Sequence, residues 1–214
     1  QTLAEFSDPC IAAVAIPYVN VRYETLVRHR APDRAAVWVI HAFTGASHAI
    51  RRSAFLEAGG YREQFFYMGE EGDLCLRLLN RGYVVRLGSA DPIHHLESPL
   101  RNSALADFCG RRNDLAFAWH NVPSRRLPLH MLGTTINGVV SSMQAPNTIS
   151  ALRGMANGYA GILRGRVRRE PVTAEVYRLQ RLLKKSGPLR LTEIEDRLPR
   201  RLAEPAPVNA RAAS

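Results

Sequence analysis

Near residue 100 the apolar pattern of the chain changes period, and this constrains the fold more than any other feature of the sequence. Up to that point strand-type apolar runs alternate with short helical stretches. Residues 11–23 read as strand, with Val14, Ile16, Val19 and Val21 and a break at Pro17. Residues 36–43 read as a second strand, ended by the small-residue loop Thr44-Gly45-Ala46-Ser47. Residues 51–58 read as a short helix stopped by Gly59-Gly60, which suits a left-handed helix end. Gly69-Glu70-Glu71-Gly72-Asp73 opens a helix through Asn80, followed by a strand over 83–87 and a short one over 93–96. Beyond Asn102 helical patterns follow one another over 103–120, 129–143, 149–163 and 173–185. The expected architecture is α/β over residues 1–100 and a helical region over 101–188. A basic, Ala/Pro-rich tail over 189–214 is expected to be disordered.

At 214 residues the chain needs no disulfide or metal to hold a core together. Its three cysteines, Cys10, Cys75 and Cys109, show no metal-like spacing and suit a reducing, cytoplasmic compartment. Cys75 and Cys109 are expected to be buried and inert. The longest stretch without a charged side chain, residues 127–152, contains His130, Asn137, Gln144 and Asn147 and is too polar to span a membrane. The net charge of +10 is uneven, at +2 over residues 1–150 and +8 over 151–214. A basic C-terminal field favours an anionic surface, such as the inner face of a membrane. Nucleic acid is disfavoured, because the region around the basic residues from Arg164 to Lys185 offers only Tyr159 and Tyr177 as aromatics.

The acidic turn carries three carboxylates at a helix start, where the helix dipole stabilises anions. This placement suits capping, and it equally suits a general base at the mouth of a cleft. His94 and His95 end a strand, so their side chains point to opposite faces and only one can face a given cleft.

Several features stand in order along the chain. They are Phe43-Thr44-Gly45, Arg51-Arg52-x-x-Phe55-x-x-x-Gly59-Gly60-Tyr61, Phe65-Phe66, Glu70-Glu71-x-Asp73-Leu74-x-x-Arg77, Gly82-Tyr83 and His95-x-x-Ser98. Together they resemble the second half of a family-2 glycosyltransferase domain of the GT-A type. Arg112-Asn113 and the region from Pro171 to Arg178 resemble the helical extension of some bacterial members. The resemblance implies an inverting transfer of sugar from a nucleotide-sugar donor to the hydroxyl of a glycan or lipid-linked acceptor, in cell-surface glycan or glycolipid synthesis. It implies that Glu71 is the general base, at a position more often Asp. Glu70 and Asp73 would shape the acceptor side, and Gly45 would lie beneath the donor sugar. His95 would contact the metal or the diphosphate. Arg52 and Arg77, with Arg51, would serve phosphates or act as salt-bridged scaffolding. An alcohol is a poor nucleophile at neutral pH, so a carboxylate must take its proton as the new C–O bond forms.

The resemblance also implies a divalent ion, Mn²⁺ or Mg²⁺, held by a D-x-D motif, and no D-x-D occurs in the sequence. The chain is therefore expected to be a C-terminal piece lacking the nucleotide-binding half, with an exposed sheet edge and a tendency to self-associate. Two rival readings are a non-catalytic basic module on an anionic membrane and a degenerate, structural relative of the enzymes.

Overall fold

The computed structural model describes residues 1–200 apart from 23, 24, 97 and 99–101. The fold is mixed α/β. Its strands are β1 (Ile11–Ala15), β2 (Tyr18–Asn20), β3 (Val27–Arg28), β4 (Trp38–Ile40), β5 (His48–Ile50), β6 (Val84–Leu87), β7 (Ile93–His95) and β8 (Leu189–Arg190). Its helices are α1 (Arg52–Glu57), α2 (Glu70–Leu79), α3 (Ser103–Asn121), α4 (Leu127–Gln144), α5 (Thr148–Leu163) and α6 (Ala174–Ser186). One sheet runs β5-β1-β6-β4-β8 and a smaller one β3-β2-β7. In the first, only β1 and β6 are parallel, and in the second only β2 and β7.

The two sheets share one bent ladder. β1 leads into β2 through Ile16-Pro17, and β6 leads into β7 alongside it. At the bend the Gly88 N–H donates to the Ala15 carbonyl at 2.8 Å. A Cβ on Gly88 would lie 2.9 Å from both that oxygen and Pro17 Cδ, so glycine is what lets the strands approach here. All five residues of β1 are buried, as expected of a strand covered on both faces. Ala13, Ala15, Val85 and Leu87 face a core completed by Leu74 and Leu78 of α2. Val14 and Val84 face another, closed by Val176, Leu179 and Leu183 of α6.

That second core revises the expected boundaries. The segment over 101–188 is helical, as expected, and its last helix, α6, packs on the sheet. The predicted tail does not begin at residue 189. Leu189 and Arg190 pair with Val39 and Trp38, and Leu191 and Ile194 are buried in the core beneath. The apolar residues Leu189, Leu191 and Ile194 supply the burial that holds this stretch in place. Residues 201–214 of that tail lie outside the described residues. β1 lies inside the larger sheet, flanked by β5 and β6. The outer strands are the three-residue β5 and the two-residue β8, and such short edges offer little to pair with.

α3 and α5 cross so closely that a Cβ on Gly154 would run into the carbonyl of Phe108. α3 then reaches the sheet layer through a buried polar cluster. Asp73 is fully buried and accepts from Arg62 at 2.6 Å, Arg77 at 2.8 Å and Asn121 Nδ2 at 2.8 Å. Arg77 also donates to the carbonyls of Ala58 and Gly60, beyond the end of α1. Arg62 extends to Glu170 at 2.9 Å. His120, also buried, is pushed down to about 4 by burial first and by the Arg62 charge second.

Asp73→Ala would leave the buried Arg77 guanidinium without its carboxylate and Arg62 with Glu170 alone, and is expected to cost about 3–5 kcal/mol in chemical denaturation. A loss below about 1 kcal/mol would contradict the role given to this cluster. His120 is neutral when folded and protonates more readily when unfolded. Its contribution is therefore complete above pH 6.5 and is lost as pH falls toward about 4, by up to about 1.4 kcal/mol per pH unit. His120→Gln should flatten that limb of a stability–pH curve, and an unchanged slope would refute the assignment.

Candidate functional site

The acidic turn, the Thr44–Ser47 loop and the end of β7 meet around an open cleft of about 670 Å³. Thr44, Gly45, Glu70, Glu71, His95 and Ser98 line it, with Asn102 and Leu105 from the start of α3. These residues come from four separate parts of the chain, and each is positioned by an identifiable contact.

The Thr44–Ser47 loop is held rigidly. Ser47, fully buried, donates its N–H to the Thr44 carbonyl at 2.9 Å and its hydroxyl to the Ile16 carbonyl at 2.6 Å. The Ile16 N–H returns to the Ser47 carbonyl at 3.0 Å. With the loop closed on itself, the Gly45 N–H donates to Glu71 Oε1 at 3.0 Å. A Cβ on Gly45 would stand 2.5 Å from the same oxygen, so a larger residue must push the carboxylate aside. The bond orients the Glu71 carboxylate at the second position of α2, where the helix dipole also favours an anion. Among the described residues Glu71 Oε2 takes no hydrogen bond.

Glu70 has a different environment. Its Oε2 is buried without a hydrogen-bond partner among the described residues. Burial first, and the Glu71 charge next, raise its pKa above the usual glutamate range. Tyr61, beside both carboxylates, is pushed up to about 12 by burial and then by Glu71, so its phenol stays protonated at working pH. Cys75, one turn below Glu71, is buried and likewise pushed up to about 12, as expected of an inert thiol. Cys109 is buried as well.

The turn that presents these acids is strained and clamped. Met68 has φ 73° and Gly69 φ 90°, two successive residues in the left-handed region. Asn113 of α3, itself buried, donates both amide hydrogens across this turn, to the Tyr67 carbonyl at 2.8 Å and the Met68 carbonyl at 2.7 Å. Arg112 adds a bond to the Gln64 carbonyl at 3.0 Å. On the opposite wall, pairing of β2 with β7 sets Asn20 beside His95, which stands edge-on to Tyr18 at 6.1 Å. Tyr18 in turn touches the Thr44 hydroxyl at 3.4 Å. As strand alternation requires, His95 lines the cleft while its neighbour His94 does not.

Of the residues singled out from the sequence, Gly45, Glu70, Glu71 and His95 come together here. Asp73, Arg77 and Arg52 do not. Asp73 and Arg77 point into the buried cluster between α2 and α3, and Arg52 is exposed at the first turn of α1. Arg51 is scaffolding, donating to the carbonyls of Ile11 and Phe6 at 2.8 and 2.9 Å. Asn113 and Arg62 carry positioning roles that no spacing in the sequence announces. For a divalent ion the cleft offers His95 and the acids of the turn. Among the described residues no three His, Cys, Asp or Glu side chains come together as a metal site.

No family model matches the chain, and comparison with curated proteins and with solved structures finds no significant similarity.

Asn113→Ala removes two hydrogen bonds from a strained turn. It is expected to cost about 1–3 kcal/mol and to speed amide hydrogen exchange over residues 65–71. Unchanged exchange there would show that the turn holds its shape without α3.

Proposed function

We propose that the chain is the acceptor-side part of an inverting glycosyltransferase of the family-2, GT-A kind, with Glu71 as its general base. The observation that carries this reading is the Gly45–Glu71 contact. A carboxylate lining a cleft is held by one oxygen, while the other takes no hydrogen bond among the described residues. That is the arrangement needed to take a proton from an acceptor hydroxyl within hydrogen-bond reach.

In the proposed reaction the acceptor O–H bond breaks and its proton passes to Glu71. The acceptor oxygen forms a bond to the anomeric carbon of a nucleotide-bound sugar. On the opposite side of that carbon the bond to the diphosphate breaks, and its electron pair leaves with the nucleotide diphosphate. Glu70, half-buried beside Glu71, would border the acceptor side of the cleft. His95 and Ser98 offer donors on the facing wall. A divalent ion, if part of the complete enzyme, would neutralise the leaving diphosphate.

Sugar transfer is tested with UDP-, GDP- and dTDP-linked donors, Mn²⁺ and glycan or lipid-linked acceptors, alongside calorimetric titration with the nucleotides. In a chain extended upstream to include the nucleotide-binding half, Glu71→Gln should lower kcat by about 10²–10⁴-fold with little change in nucleotide affinity. Gly45→Ala should lower it by about 10²-fold through the displaced carboxylate, with the melting temperature unchanged. Near wild-type turnover in Glu71→Gln would sink the base assignment.

A further inference from the structure

We propose that α4 is a membrane-docking helix. Its outward apolar face lies in the interfacial layer of an anionic phospholipid bilayer, with headgroup phosphates seated in the arginine-lined groove beside it. The proposal rests on a different part of the molecule from the Glu71 chemistry and does not depend on it.

The first observation is that α4 is turned inside out. Small and polar residues face the protein. Gly138 and Ser142 are buried against Met155, and the Thr135 hydroxyl meets that of Tyr159. The large apolar residues face away. Leu129, Leu132, Ile136, Val140 and Met143 are all exposed, Leu129 at 71% and Met143 at 73%. At 100° per residue they fall within an arc of about 80°, which makes one continuous stripe roughly 21 Å long. A water-soluble surface does not ordinarily carry an apolar stripe of this size, so something covers it. The stripe continues onto Ile149 and Leu152 of α5, both exposed.

The second observation is charge. From Leu115 to Arg169 there is no Asp or Glu and there are seven arginines. A groove of about 440 Å³ runs along one flank of the stripe, between α4 and α6. Arg126, Arg178 and Arg181 line it, with Thr134, Asn137 and Tyr177 as further hydrogen-bond donors. His130, also in the groove, has its pKa lowered by burial and then by the Arg181 and Lys184 charges. Glu175 pairs with Arg178 at 2.9 Å, but arginine outnumbers carboxylate along this flank, and an apolar stripe beside such a surplus complements an anionic lipid surface. No helix among the described residues is long and apolar enough to cross a membrane, so α4 would lie along the surface rather than through it. The α4–α5 corner is tied to the first turns of α3, where Asn147 meets Ser103 and Asp107 at 2.8 and 3.1 Å. Those turns also line the cleft, so docking on α4 brings the cleft mouth near the lipid headgroups.

The test is co-sedimentation of the 214-residue chain with phosphatidylcholine vesicles, with and without phosphatidylglycerol, at low and high salt. The chain should bind the anionic vesicles and release as salt rises. The charge-neutral pair Leu132→Ser and Ile136→Ser, at exposed positions, should weaken binding by at least about tenfold without altering the circular-dichroism melt. The pair Arg178→Gln and Arg181→Gln should weaken it and flatten the salt dependence. If the wild-type chain stays in the supernatant, the proposal fails. If the serine pair binds as wild type does, the attraction is one of charge alone and the docking role of α4 is wrong. If sedimentation equilibrium shows a dimer that the serine pair dissociates, a second copy covers the stripe and the bilayer does not.

Discussion

The rest of the structure depends on how Asp73 is satisfied. A lone carboxylate with no exposure to water would cost far more than the fold can spare. Here two guanidinium groups and an amide answer it, and each comes from a different element. Arg77 belongs to α2, Arg62 precedes the short turn before it, and Asn121 ends α3. One charge therefore fixes the end of α1, the axis of α2 and the far end of α3. Because α3 is one continuous helix, fixing Asn121 also sets where Asn113 and Arg112 fall, and these hold the turn that carries Glu70 and Glu71. Geometry at the cleft is inherited from a charge buried some distance behind it.

The cleft itself is assembled from rigid parts. A closed four-residue loop offers one N–H, a strained turn offers two acids, and a strand beyond the Gly88 bend offers a histidine. Both His95 and Gly45 hang from the β1–β2 segment, one through strand pairing and the other through Ile16 and Ser47. The two walls thus share one backbone support. The proton transfer proposed for Glu71 would gain from such construction, since small misplacements of a base cost large factors in rate.

Much of this was legible in the sequence, and the exceptions have physical reasons. The helices and the longer strands follow from apolar period and glycine stops, and the six helices among the described residues stand where the pattern predicts them. β3, β5 and β8 have only two or three residues each, too few for a period, and they exist because a partner strand is there to receive them. Gly45, Glu71 and His95 were marked by their place in a motif. The inward turn of Asp73 had one signal, its i, i+4 spacing to Arg77, which is the spacing of an intrahelical ion pair. Arg62 and Asn121, its other partners, had none, because they lie 11 and 48 residues away in sequence. The stripe on α4 was visible as periodicity, but periodicity does not say whether an apolar face looks inward or outward.

Every cation between Leu115 and Arg169 is an arginine, and the chain's only lysines are Lys184 and Lys185. A guanidinium does not lose its proton below about pH 12, and no acetyl group can neutralise it as it would a lysine. The positive field of this helical region is therefore permanent. Neither acidity nor lysine modification can turn it off, and only dissolved ions or a competing anion can mask it.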